Sequence, residues 1–339
     1  MTPGPLAGLQ IVELGGVGPV PFAGMVLADA GAAVTAIVRP ARGSTDALTA
    51  ATGGVLGRGR KEVTLDLKDP DERRTALDLV AAADAALEGF RPGALERLGL
   101  GPDALLARNP ALVLGRMTGW GQDGPLAQAP GHDINYLALS GVLAHLGEPD
   151  RPPRAPLNLL ADFGGGALLA FGVIAAVLDA RQSGRGRVVD AAMLDAAALL
   201  STMTFELWNR GAWDPRRGHN VNDGGAPFYC TYPTSDQRYV AVGAMEPVFW
   251  NGLINRLGLD PASLPDQYDR ARWPELRRVL AAVFATRARD EWAAELADVC
   301  VSPVLTIAEA PGHPHNVTRG LFETAERGPV PGPAPRFPT

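Results

Sequence analysis

Residues 11–38 read IVELGGVGPVPFAGMVLADAGAAVTAIV, and the order of residue types in that stretch decides the fold class. Ile11-Val12-Glu13-Leu14 is a short apolar run rich in β-branched residues, the pattern of a buried strand. The glycine and proline loop Gly15 to Pro21 interrupts it, and an apolar helical stretch follows to about Asp29. Gly31 then punctuates the chain before a second strand-like run, Ala33 to Val38. Two buried strands joined through a helix form a unit whose strands run parallel.

The rhythm continues outward. Val63-Thr64-Leu65-Asp66 reads as a strand, and Asp69-Pro70-Asp71 opens a helix over roughly Pro70 to Ala82 with a capping residue and proline at its first position. Strands are predicted near Ala85-Ala86-Leu87 and Leu112-Val113-Leu114. A glycine-rich helix from Asp162 to about Arg181 is apolar all round, which predicts burial. The turn Ser183 to Gly186, a strand at Arg187 to Asp190 and a helix to about Leu207 follow. The expected fold is α/β, with a large Rossmann-like, doubly wound domain over residues 1–210. Residues 211–225 lack periodicity and predict a linker. A strand at Arg238 to Gly243 and helices at Pro274 to Phe284 and Asp290 to Ala297 predict a smaller α+β domain over 226–320. Residues 321–339, rich in proline, predict an extended strap returning towards the large domain.

Composition narrows the function classes. The 339 residues exceed the usual size of one hydrophobic core, which agrees with two lobes. A net charge of −6 argues against nucleic acid or an anionic membrane surface as partner. Only two of the 31 basic residues are lysines, an arginine bias that suits bidentate phosphate contacts and also follows from genome composition. Cys230 and Cys300 stand far apart, which suggests neither a disulfide framework nor a metal site. The N-terminus lacks a charged region followed by an apolar core, and the apolar stretch Ala167–Leu178 is shorter than the roughly 20 residues that span a bilayer. The expectation is a cytoplasmic enzyme. The loop GGVGPVP after the first strand places prolines where a dinucleotide-binding turn needs free N–H groups, so NAD and FAD are not expected.

Three places could carry chemistry: Gly131-His132-Asp133, Asp162-Phe163-Gly164-Gly165-Gly166, and Gly243-Ala244-Met245-Glu246-Pro247. Each has a plain alternative. A loop histidine beside an aspartate is most often surface decoration, Asp133 and Asp162 both read as helix N-caps, and Glu246 taken alone reads as a solvated turn residue. Three glycines after a cap cost about 1 kcal/mol each against alanine. They make more sense where a ligand oxygen must approach the backbone. Taken together the residues form a coherent site. Deprotonation next to a thioester needs a base of near-neutral pKa and a place to hold the enolate oxygen, here backbone N–H groups and a helix N-terminus. Inversion needs a second acid on the opposite face, and a carboxylate such as Glu246 can fix the tautomer of the imidazole.

At GHDINY (131–136) and DFGGG (162–166) the chain resembles the class III CoA-transferase superfamily, and within it the α-methylacyl-CoA racemase branch. Supporting stretches are Arg58-Gly59-Arg60-Lys61 before VTLDLK, Glu88-Gly89-Phe90-Arg91-Pro92-Gly93, Glu96-Arg97-Leu98-Gly99, Arg116-Met117-Thr118-Gly119-Trp120-Gly121 and Gly224-Gly225-Ala226-Pro227. They keep the family's order from LAGLQIVEL to APRF, almost the whole chain. The resemblance implies that His132 serves one face of the α-carbon, Asp162 the other, and that Glu246 hydrogen-bonds the imidazole. Asp133 matches the aspartate that forms acyl and CoA adducts in transferases and helps set the thioester oxygen in racemases. Arg39, Arg58, Arg60, Lys61, Arg91 and Arg97 match the region that binds the 3′-phospho-ADP part of CoA. The expected activity is inversion of 2-methylacyl-CoA thioesters by 1,1-proton transfer in fatty acid metabolism. No cofactor or metal is implied, CoA being part of the substrate. An interlocked homodimer with its active site between lobes of different subunits is implied as well.

The alternatives are a class III CoA-transferase working through Asp133, a relative recruited to isomerise a non-CoA metabolite, and a non-catalytic CoA-ester-binding protein. Histidine beside Asp133 favours the racemase. Three departures from the family pattern bear on the details: Lys61 in place of arginine, Cys230 in place of an acidic residue, and an end soon after Pro335-Arg336-Phe337 where relatives continue, which implies a truncated or shortened strap.

Overall fold

A computed structural model describes residues 4–40 and 54–338. The chain divides into two compact units: Met1–Leu143 with Ala155–Met203 and Val330–Thr339, and Ala144–Arg154 with Thr204–Pro329.

The first unit is built on a six-stranded sheet. Its strands are β1 (Gln10–Glu13), β2 (Ala33–Val38), β3 (Arg60–Thr64), β4 (Ala85–Glu88), β5 (Val113–Thr118) and β6 (Val188–Ala192). The order is β3-β2-β1-β4-β5-β6 and every pairing is parallel. Both faces are covered, as a parallel sheet requires. Alternate residues of each strand point to opposite faces. Ile11, Val34, Leu87 and Val113 therefore pack with α1 (Pro19–Asp29) and the long helix Gly164–Ser183, and Val12, Ile37, Ala86 and Leu114 with α2 (Pro70–Ala81) and its neighbours on the other side. Asp69 caps α2 as its sequence predicts, accepting the N–H groups of Asp71 at 2.9 Å and Glu72 at 3.0 Å. The strand order reverses between β1 and β4, and ligands of such sheets bind beyond the carboxyl ends of the strands at that point.

Between β4 and β5 lie α3 (Ala94–Arg97) and α4 (Pro102–Arg108); after β5 comes α5 (Asp133–Leu139). The long helix, α6, is entered through a wide π-helical turn, Leu159–Phe163, so the helical run covers Leu159–Ser183. That run of 25 residues exceeds the apolar stretch visible in sequence and meets the length and composition of a bilayer span. Leu169, Val173 and Val177 of α6 nevertheless pack in the same cluster as the sheet, the arrangement of a core helix. Helices α7 (Met193–Leu200) and α8 (Thr202–Asn209) replace the single predicted helix.

Gly164 and Gly166 of α6 stand at close packing contacts. A Cβ on Gly166 would lie 2.6 Å from the Pro19 carbonyl oxygen of α1, and one on Gly164 would lie 2.7 Å from the Leu200 side chain. The neighbour at Gly166 is backbone and cannot yield. Gly166→Ala is expected to cost about 1–3 kcal/mol by overpacking, read as a lower urea midpoint with an unchanged slope.

The second unit holds the antiparallel sheet β7 (Tyr229–Pro233), β8 (Tyr239–Gly243) and β9 (Val301–Pro303), with α9 (Pro247–Arg256), α10 (Trp273–Phe284) and α11 (Arg289–Glu295). Phe228, Tyr232, Leu253, Leu276, Leu280 and Phe284 form its core. Residues 211–225 are not a linker. Asn220 is buried, and the Asp223 carboxylate accepts the N–H groups of Gly218, Asn220 and Gly225 at 2.9–3.0 Å. Ala144–Arg154 joins this unit because the Arg217 guanidinium donates to the carbonyls of Ala144 (2.7 Å) and Glu148 (2.8 Å). After α12 (Pro314–Arg319), the predicted strap contains a hairpin of β10 (Phe322–Ala325) and β11 (Gly328–Pro331), and Val330–Thr339 belongs to the first unit.

Candidate active site

His132, Asp133 and Asp162 converge within the first unit. His132 is the N-cap of α5, held by a reciprocal pair of bonds: its N–H donates to Asn135 Oδ1 at 3.0 Å, and its carbonyl accepts the Asn135 N–H at 2.8 Å. Asp133 is thus the first helical residue and not the cap. Its carboxyl is 5% exposed, and Oδ2 accepts the backbone N–H groups of both Ala161 and Asp162 at 2.9 Å. Oδ1 is buried without a partner. A buried carboxylate therefore clamps the π turn from which Asp162 projects.

Asp162 is not an N-cap either, because it sits inside that π turn. The Ala161 and Asp162 N–H groups both donate to the Asp133 carboxylate, so neither of these two is free to hold an oxyanion. The Asp162 carboxyl is half-buried, and burial raises its pKa above the ordinary carboxylate value. The Asp133 charge pushes in the same direction, while a hydrogen bond from Asn158 Nδ2 (3.2 Å) and the His132 charge oppose it. Nothing in the local sequence marks Asn158. Its role arises from its place one turn before Asp162, in a turn whose helical nature no propensity announces. On the other side lies the glycine loop after β1: Gly18, at φ +68°, would place a Cβ 3.8 Å from Asp162 Oδ2. Burial, together with the Asp162 charge, pushes the neighbouring Tyr136 phenol up to about 12.

The predicted phosphate-binding residues fall into two groups. Arg39 follows β2, and Arg91 and Arg97 follow β4, all at the carboxyl edge of the sheet beside the point where strand order reverses. The Arg91 charge reaches Tyr136 and opposes the rise in its pKa. Arg58, Arg60 and Lys61 lie at the opposite edge, where β3 begins level with Val34. Arg60 is buried in an ion pair with Glu13, and Arg58 binds Asp29 (2.5 Å) and the Pro331 carbonyl. Lys61 is exposed on the edge strand. An ion-pair network rooted in buried Arg116 and Glu88 flanks the segment carrying Arg91: Arg116 Nε donates to Glu88 at 2.6 Å and Nη1 pairs with the more exposed Glu96 at 2.9 Å.

Glu246 lies in the second unit as the N-cap of α9, and its side chain makes no capping bond. Cys230, also in that unit, directs its thiol at the Pro227 carbonyl (3.6 Å), and burial raises its pKa. Among the described residues no cluster of His, Cys, Asp or Glu could hold a metal ion.

A profile of CoA-transferase family III matches residues 6–339. The chain is 46% identical over 334 residues to proteins named alpha-methylacyl-CoA racemase from Mus musculus and Homo sapiens, covering 97% of this chain and 86% of each relative. It is also 29% identical to the acetyl-CoA:oxalate CoA-transferase of Acetobacter aceti, over 94% of this chain and 85% of that one. Among solved structures, a CaiB/BaiF family protein from Brucella suis superposes with a TM-score of 0.86 at 26% identity, covering 99% of this chain and 93% of the other. With its fold and its motifs in order, and with residues 6–339 matched, this chain belongs to CoA-transferase family III.

Proposed function

We propose that this protein is an isomerase that inverts the α-carbon of 2-methylacyl-CoA thioesters by 1,1-proton transfer. The observation that carries the reading is the pairing of His132 with a half-buried Asp162 whose pKa is raised. A raised carboxyl pKa favours the protonated form that an acid needs near neutral pH. In this reading neutral His132 takes the α-proton of the (S)-thioester and protonated Asp162 delivers a proton to the opposite face. The reverse reaction exchanges the roles. The enolate oxygen is held by the Asp133 and Ile134 N–H groups, which open α5 and have no acceptor within it. Glu246 orients the imidazole, and Arg39, Arg91 and Arg97 take the phosphates of CoA through charge-assisted bonds. The 46% identity to the two named racemases supports the same activity.

Asp133 also supports isomerisation over transfer. A nucleophilic carboxylate must reach the thioester carbonyl, but this one is buried and holds two backbone N–H groups. The transferase reading has one observation in its favour, the unpartnered Oδ1. Trapping with hydroxylamine decides it: a trapped acyl-enzyme with no α-exchange would replace isomerisation by transfer.

The reading extends to a cofactor-independent, cytoplasmic enzyme acting as an interlocked homodimer. Supporting the dimer, Phe171 and Leu178 of α6, Leu199 and Leu200 of α7, and Met203 are all exposed, large apolar side chains that a partner subunit would remove from water.

Incubation of a single enantiomer of a 2-methylacyl-CoA in D2O is expected to introduce deuterium at the α-carbon and erode optical purity. Mass spectrometry and chiral chromatography read the two effects. If no deuterium enters at any pH, proton transfer is not the chemistry.

A further inference from the structure

We propose that Gln267, assisted by Tyr268, is a positioning residue that fixes the direction in which Glu246 projects. The inference rests on the reading of Glu246 given above and concerns only the second unit. Glu246 stands where β8 has ended and α9 has begun, so its approach is a short irregular stretch, Gly243 to Met245. Strand pairing ends there: the Gly243 N–H donates to the Cys300 carbonyl at 2.8 Å, and the Met245 N–H turns back to the Gly243 carbonyl at 2.9 Å. The next two carbonyls, of Ala244 and Met245, receive their hydrogen bonds from side chains.

Gln267 supplies both. Its Nε2 lies 3.1 Å from the Ala244 oxygen and 2.9 Å from the Met245 oxygen, so one amide group bridges two consecutive carbonyls. The Tyr268 hydroxyl donates to the Met245 oxygen as well, at 2.7 Å. Because a peptide unit is planar, the Met245 carbonyl and the Glu246 nitrogen move together. Two donors on that oxygen fix the peptide plane from which Glu246 departs, and the bond to Ala244 fixes the plane before it. Glu246 itself caps nothing, so its carboxylate is not held by its own helix.

The clamp is itself secured. Gln267 is buried, and its carbonyl accepts the indole N–H of buried Trp273 at 2.9 Å. The Tyr268 ring packs edge-on against fully buried Phe228 at 5.1 Å between centroids, although the residue remains largely exposed. No part of the catalytic reading needs Gln267 to touch the thioester.

The test is a double-mutant cycle on the full chain, with α-proton exchange as the assay. Gln267→Met removes both amide bonds at similar volume. Tyr268→Phe removes one hydroxyl from a largely exposed ring and leaves the packing in place. Small misplacements of an orienting group cost up to about 100-fold in rate. Gln267→Met is therefore expected to lower kcat by about 10–100-fold and Tyr268→Phe by roughly 3–10-fold, with KM changed less than about two-fold. In a Glu246→Gln background each change is expected to cost almost nothing more, because there is no orienting carboxylate left to aim. Equal losses in both backgrounds, or a wild-type kcat in folded Gln267→Met and Tyr268→Phe, overturn the proposal. Should Gln267→Met fail to fold, Tyr268→Phe carries the cycle alone. If Glu246→Gln by itself leaves kcat intact, the role assigned to Glu246 fails and the clamp fails with it.

Discussion

Asp162→Ala is expected to slow inversion of a 2-methylacyl-CoA by about two to four orders of magnitude while one half of the chemistry persists. In the two-base scheme His132 alone can remove the α-proton of the (S)-thioester and return a solvent-derived proton to the same face. The variant should therefore introduce deuterium into the (S)-ester in D2O with retention, and leave the (R)-ester almost unlabelled. His132→Ala should show the converse, with exchange confined to the (R)-ester. A single-base mechanism predicts a different result, in which one substitution abolishes exchange from both enantiomers and the other leaves both intact. Kinetics of deuterium uptake from each pure enantiomer distinguish the outcomes. The reason for expecting two faces is local. His132 caps α5 while Asp162 leaves a separate π turn, and the two elements are joined by the Asp133 carboxylate.

A loss of comparable size, in stability, is expected at Arg116. Glu88 is fully buried and its pKa is raised because burial disfavours its charge, with the Arg116 guanidinium opposing that rise. Removing the guanidinium leaves a buried carboxylate without its counterion, and breaking such a pair typically costs about 3–5 kcal/mol. Arg116→Met should therefore unfold at a much lower urea concentration at pH 7. The sign of the pH dependence follows from the direction of the shift. A carboxyl with a raised pKa in the folded state favours folding relatively more when protonated, and that advantage is lost as pH rises through its folded value. The difference between Arg116→Met and the parent should shrink as the pH is lowered towards the usual carboxylate range. A difference independent of pH would assign the loss to packing. Because Arg116 also pairs with Glu96, folded Arg116→Met should bind CoA esters more weakly as the segment between β4 and α3 loses its anchor.

The elements of the first unit were legible in sequence where their signals are short-range. β2 occurs over Ala33–Val38 as read, and α2 begins at Pro70 with Asp69 as its cap. In each case a strand period or a capping residue acts over a few residues, and nothing distant competes. β3 runs Arg60–Thr64 and not from Val63, because an edge strand takes its length from its partner β2. The segment 211–225 looked like a linker since its order comes from Asp223 and Asn220 bonding backbone within a loop, a geometry without period.

At the candidate site, residue types were legible and their arrangement was not. GHDINY and DFGGG marked the imidazole and the carboxyl group. Caps were expected at Asp133 and Asp162, but a helix start one residue earlier and a π turn moved both into the helical runs. The six basic residues looked alike in sequence. Tertiary structure separated them by sheet edge and gave Arg58 and Arg60 carboxylate partners.

By itself, then, the amino-acid order determined a parallel α/β architecture and its family, and it offered His132 and Asp162 as candidates for moving a proton, because strand period, caps and motif residues are local properties. Only tertiary structure decided that Asp133 braces Asp162, that Gly166 makes room for the Pro19 carbonyl, and that Gln267 holds the peptide before Glu246. Each of those is a contact between residues at least 20 positions apart, whose existence depends on packing and leaves no trace in either segment alone.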